Sequence, residues 1–98
     1  MQKKVDEIIG VLNGLQKEIK SEFKAEIIAV FGSYVRGEQK EGSDVDILVR
    51  FLEGATLFNF VGLANFLEEK LNLKVDIVPV DTVREEIRED VLKEAIYL

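Results

Sequence analysis

Asp44 and Asp46 stand one residue apart at the head of the apolar run VDILVRF. Alternate residues of a strand share a face, so the two carboxylates point the same way about 7 Å apart, with Leu48 next in line. Val45, Ile47 and Val49 then form the opposite, core-seeking face. Two anions held this close repel unless a cation sits between them, and hard oxygen ligands suit magnesium or manganese. A third carboxylate, Asp76, interrupts a second β-like run, KVDIVPV, flanked by Val75 and Ile77 as Asp46 is flanked by Val45 and Ile47. Three carboxylates on adjacent strands could hold two metal ions. Such a pair of ions clamps a phosphoryl oxygen and lowers the pKa of an attacking hydroxyl. The plain alternative is that Gly-Ser-Asp is a common turn and an Asp at a strand start is an edge residue.

Eleven residues before Asp44, the apolar run AEIIAVF ends in Gly32 and Ser33. Gly32 has no side chain to keep a phosphate away, and Ser33 would open a short helix whose free N–H groups attract anions. Arg36 follows one helical turn later, able to reach the side of Ser33 and pair with phosphate oxygens. Gly37 ends the turn. An N-cap serine with a solvated arginine would give the same pattern without any ligand.

The chain has no cysteine and no histidine, so thiolate or imidazole chemistry is excluded and carboxylates must do the acid–base and metal work. A net charge of −6 argues against a surface built for extended nucleic-acid backbones. Arg36, Lys40 and Arg50 read as a solvated basic face. With 98 residues, 47% of them hydrophobic and 33% charged, one domain spanning 1–98 is expected. No run approaches the roughly 20 apolar residues of a membrane span, and the N-terminus is too mixed in charge for a signal peptide, so a cytoplasmic location is expected.

Positioning these groups requires an α/β alternation. Val5, Ile8, Ile9, Leu12, Leu15 and Ile19 recur at helical spacing and predict a helix over 2–22. A strand is expected at 26–31, then the short helix after Gly32, a mobile loop over 39–43, and the Asp-x-Asp strand at 45–51. Leu57 to Leu71 reads as a second long helix, Lys74 to Val78 as a third strand and Thr82 to Ala95 as a last helix, with Asp81 at its start. The expected fold is α/β (α+β): a small mixed sheet with helices on one face and an open face for the ligand. The second helix spreads apolar groups around much of its circumference, which fits either packing against two elements or a protein-binding surface. The apolar tail from Val91 to Leu98 asks for a docked terminus or a partner contact.

The stretch GSYVRGEQKEGSDVD, with ten residues between Gly-Ser and Asp-x-Asp, resembles the signature of the polymerase-beta-like nucleotidyltransferases. With KVDIV and the ending VLKEAIYL, nearly the whole chain is similar to the minimal nucleotidyltransferases (MNT). The resemblance implies a nucleotidyltransferase fold in which Gly32 and Ser33 contact a triphosphate. Asp44 and Asp46 are then metal ligands, Asp76 is the third carboxylate beside the attacking hydroxyl, and Arg36 is the arginine of the Gly-Ser-Tyr-x-Arg-Gly pattern. It further implies ATP as substrate, two Mg2+ ions as cofactors, and AMP transfer to a hydroxyl, a tyrosine of a HEPN-domain toxin for which the chain is the antitoxin. A homo- or hetero-oligomer fits that role. The alternatives are a non-catalytic antitoxin that acts by occlusion and nucleotidyl transfer to a small molecule.

Overall fold

The computed structural model describes residues 4–98. Residues 2 and 3 of the expected first helix lie outside the described residues. Helix α1 runs Val5–Phe23, strand β1 Ala25–Phe31, the short helix α2 Ser33–Arg36, β2 Val45–Phe51, α3 Leu57–Leu71 and β3 Val75–Pro79. A 3-10 turn at Val80–Thr82 leads to α4 (Glu85–Glu94) and a two-residue strand β4 (Ile96–Tyr97).

Ile8, Leu12 and Ile19 of α1 are fully buried together with Leu63, Leu67 and Leu71 of α3, so both helices cover one sheet face. Their crossing is close because Gly62 has no side chain; a Cβ there would come within 3.1 Å of the Phe23 ring. Phe23 and Phe66 rings meet beside it at 5.1 Å. Gly10 and Gly14 have only open space around them, so close packing requires neither glycine.

The sheet order is β3-β2-β1-β4, with β2 parallel to β3 and β1 antiparallel to both β2 and β4. Helix α3 supplies the crossover that a parallel pair needs. It is framed by Thr56, whose N–H donates to Asn59 Oδ1 at 2.8 Å, and by Asn72 in the left-handed region at φ 54°.

Strand β1 carries a bulge. Ile27 pairs with Val49 and Ala29 with Leu48, so Ile28 is the extra residue. The bulge switches the alternation. Ala25 and Ile27 belong to the core beneath the helices, and so does Val30, which places Ala29 and Phe31 on the other face. Ladder partners share a face, so two cross-strand rows stand there: Phe31–Asp46–Asp76 and, below it, Ala29–Leu48–Val78.

The last helix is shorter than expected. Pro79, lacking a donor, ends β3 into the 3-10 turn, and Arg84 is still extended at φ −62°, ψ 138°, so α4 begins at Glu85. Asp81 lies in the 3-10 turn. This segment crosses the face opposite α1 and α3, which accounts for Leu48 and Ala29 being buried there. The tail is docked: β4 pairs with Ala29 and Val30, and the Leu98 N–H donates to the Ile28 carbonyl at 3.0 Å. Beyond β4 the edge of β1 is closed by Gln16, whose amide donates to the Ile27 carbonyl at 2.8 Å and accepts its N–H at 3.1 Å.

Candidate active site

Strand β1 ends where β2 and β3 begin, and the carboxylates gather at that end of the sheet. Asp46 and Asp76 are direct partners across the parallel pair, and Phe31 is the partner of Asp46 on the other side. Asp44 lies in the last loop residue before β2 rather than within the strand, and it is exposed while Asp46 is half-buried. Among the described residues no three acidic groups are drawn in around a single point. Asp46 is the centre of the group, between Asp44 and Asp76.

Electrostatics mark the same centre. Burial, then the negative charges of Asp76 and Asp44, push the Asp46 carboxyl up to about 6, with a further rise from its hydrogen bond to Asp76. The Arg36 charge opposes this only in part. A carboxylate that resists ionisation because it is buried, and then because anions stand beside it, is a group that a cation relieves. The oxygen-only donor set therefore fits a divalent metal such as magnesium.

The Gly-Ser turn closes against this centre. Gly32 adopts φ 84°, in the region that favours glycine. A Cβ built on it would collide with the Asp46 carboxylate, so the Gly32 backbone lies directly against Asp46. Glycine is needed here twice, for conformation and for space. The Gly32 carbonyl accepts the N–H groups of Val35 and Arg36, at 3.1 and 3.2 Å, which leaves the first amides of α2 for an outside partner. Tyr34 is only 3% exposed and plants α2 in the core; desolvation, then the Asp44 charge, raise its phenol pKa. Gly37, at φ 72°, terminates the turn.

Arg36 stands differently from the sequence expectation. Its Nε donates to Glu38 at 3.2 Å and its Nη1 to Glu94 of α4 at 3.1 Å. The guanidinium ties α2 to α4 and remains close enough to Asp46 to act on its charge. The 39–43 loop contains a closed turn, in which the Lys40 N–H donates to Ser43 Oγ at 2.8 Å and the Ser43 N–H to the Lys40 carbonyl at 2.9 Å. Sequence reasoning missed Glu94 and Phe31. Glu94 is 58 residues from its partner, and Phe31 reaches the carboxylate row only through the bulge.

Gly-Ser at the end of one strand stands beside carboxylates at the heads of two others, an arrangement suited to a metal-bound phosphate. Comparison with known proteins agrees. The model of the nucleotidyltransferase domain family matches residues 12–98. A protein adenylyltransferase, MntA, of Thermococcus cleftensis is 45% identical over 94 residues, 96% of this chain and 95% of the relative. A solved structure provisionally assigned as a minimal nucleotidyltransferase superposes with a TM-score of 0.80 at 36% identity, covering 99% of this chain and 98% of that one. A toxin–antitoxin crystal structure with AMP-PNP gives a TM-score of 0.67 at 25% identity, over 88% of this chain and 70% of that one. The chain belongs to the nucleotidyltransferase domain family, in its minimal (MNT) branch, and is a nucleotidyltransferase. Among the described residues no helix is long and apolar enough to cross a membrane.

Proposed function

We propose that this chain, acting as one domain, transfers AMP from ATP to a tyrosine hydroxyl of a HEPN-domain toxin and is thereby its antitoxin. The observation that carries the reading is Asp46, ladder partner of Asp76, lying directly against the Gly32 backbone. The relative from Thermococcus cleftensis, a protein adenylyltransferase, and the toxin–antitoxin complex with AMP-PNP support the activity and the setting. Asp44, Asp46 and Asp76 would hold two magnesium ions, which when bound neutralise the triphosphate and make the acceptor hydroxyl more acidic.

Gly32 lets the triphosphate approach the backbone, and Ser33 donates to it from the start of α2. Arg36 supplies a nearby positive charge. Asp76, exposed at the head of β3, takes the acceptor proton as general base. The acceptor oxygen then bonds to the α-phosphorus, the bond to the β-phosphate bridging oxygen breaks, and pyrophosphate leaves. Ser33 has no imidazole to activate it, since the chain has no histidine, so it binds rather than attacks.

Helix α3 favours a protein acceptor. Leu63, Leu67 and Leu71 are buried, whereas Leu57 and Phe58, at 75% and 89% exposed, leave an apolar patch at its start. The test is transfer of label from α-labelled ATP to a HEPN partner by the wild type and by Asp44→Asn/Asp46→Asn. Label with the wild type alone supports protein AMP transfer. A double variant that still neutralises the toxin, with no label in either case, overturns it in favour of occlusion.

A further inference from the structure

A cavity of about 280 Å³ lies on the carboxylate-bearing face of the sheet, lined by Phe31, Val78, Thr82, Val83, Arg84 and Val91. Phe31 is the ladder partner of Asp46, and Val78 follows Asp76 on the same face of β3, so the cavity adjoins the carboxylate row. We infer that this cavity receives the aromatic ring of the acceptor tyrosine, holding its hydroxyl toward Asp76, and that Val78, Val83 and Val91 set acceptor specificity. The inference rests on the AMP-transfer reading above.

Size limits the cavity to a ring rather than a whole nucleotide, and its lining chemistry favours a phenol over the other ring in the reaction, adenine. The volume falls below the usual 300–1,000 Å³ of sites that enclose a whole small ligand, so it suits one ring rather than a nucleotide. Four of the six lining side chains are apolar. The Thr82 hydroxyl is already turned to the Pro79 carbonyl at 2.8 Å. Arg84 only donates, so it cannot receive the adenine amino group, but its planar cation can lie on an electron-rich phenol face. Arg84 has no ion pair among the described residues. A phenol needs only apolar walls around its ring, with its single polar atom at the carboxylate row. The triphosphate end of the site, Gly32 and Ser33, follows β1, whereas Val78 to Arg84 follow Asp76 directly on β3 and its extension.

The test titrates the full chain with N-acetyltyrosinamide and follows valine methyl resonances, alongside Mg-ATP affinity and AMP transfer to the HEPN partner. Methyl shifts at Val78, Val83 and Val91 are expected with the tyrosine probe. Val83→Phe, which fills the cavity, should abolish them and raise the acceptor KM at least about tenfold, the scale of a pocket misfit. Mg-ATP affinity should stay within about twofold. Val83→Ala, which enlarges the space, and Val91→Phe serve as further variants should Val83→Phe not fold, and both should alter the acceptor KM rather than ATP affinity. Methyls that move with ATP, together with weakened ATP binding in Val83→Phe, would overturn the inference and make the cavity the base site. Unchanged acceptor KM in folded variants would also overturn it. Probe binding without any transfer by the wild type would overturn the activity reading and leave the cavity's ligand class standing.

Discussion

Replacing Asp46 by asparagine should make the metal-free protein more stable, not less. Asp46 is held up at about 6 against an ordinary 3.8, first by burial and then by Asp76 and Asp44. A displacement of that size corresponds to about 3 kcal/mol between the two protonation states, and solvent screening of a half-buried group reduces it to about 1–2 kcal/mol. The folded state binds more protons than the unfolded state between 3.8 and about 6. The favourable contribution of the neutral acid is therefore complete below 3.8 and is lost as pH rises through 6. The amide that D46N introduces donates to Asp76 as the neutral acid does and never ionises.

In EDTA at pH 7.5, D46N should melt about 4–16 °C above the wild type, given roughly 4–8 °C per kcal/mol for a chain of this size. The gap should close on acidification toward pH 4.5, and magnesium should narrow it by raising the wild type. Scanning calorimetry at the two pH values, with and without EDTA, reads all three effects. An equal or lower melting temperature for D46N at pH 7.5, or a gap independent of pH, would refute the crowded-acid account.

Gly32→Ala combines a strained φ of 84° with a collision at Asp46; it should cost at least about 1–2 kcal/mol in denaturant melts and depress AMP transfer more than Ser33→Ala does. Gln16→Ala strips both hydrogen bonds from the Ile27 backbone and should destabilise by about 1–3 kcal/mol, with light scattering revealing association through the bared β1 edge. Glu94→Gln releases one partner of the Arg36 guanidinium; ATP affinity measured calorimetrically should rise at low salt, and the difference should vanish at high ionic strength because the pair is exposed.

The positions of the candidate residues were more legible in the sequence than the frame around them. Gly32, Ser33, Asp44, Asp46 and Asp76 come together at one end of the sheet because each is tied to a strand end that hydrophobic alternation reveals. Helix α3 was readable to both limits, Leu57 and Leu71, since its apolar residues are dense and its caps are strong local signals. The bulge at Ile28 was not readable: AEIIAVF looks like one unbroken apolar run, and only pairing with β2 exposes the extra residue. Strand β4 hides because two residues carry no period, and their pairing with β1 is entirely tertiary. The late start of α4 reflects Pro79 and an extended Arg84 overriding a helix-favouring run of charged residues.

The in-register pairing of Asp46 with Asp76 also decides where the chain can tolerate change in length. The turn from Asn72 to Lys74 fixes that register through the Val45 N–H, which donates to the Lys74 carbonyl at 2.8 Å. One residue inserted there would swing Asp76 to the helix-covered face and bring Val75 or Ile77 into its place. The loop between Gly37 and Asp44 lies outside the paired residues, so a change in its length leaves the strand register intact. Natural length variation and engineered tags should therefore accumulate in that loop and be purged from the three-residue turn, a pattern that a library of random insertions would reveal.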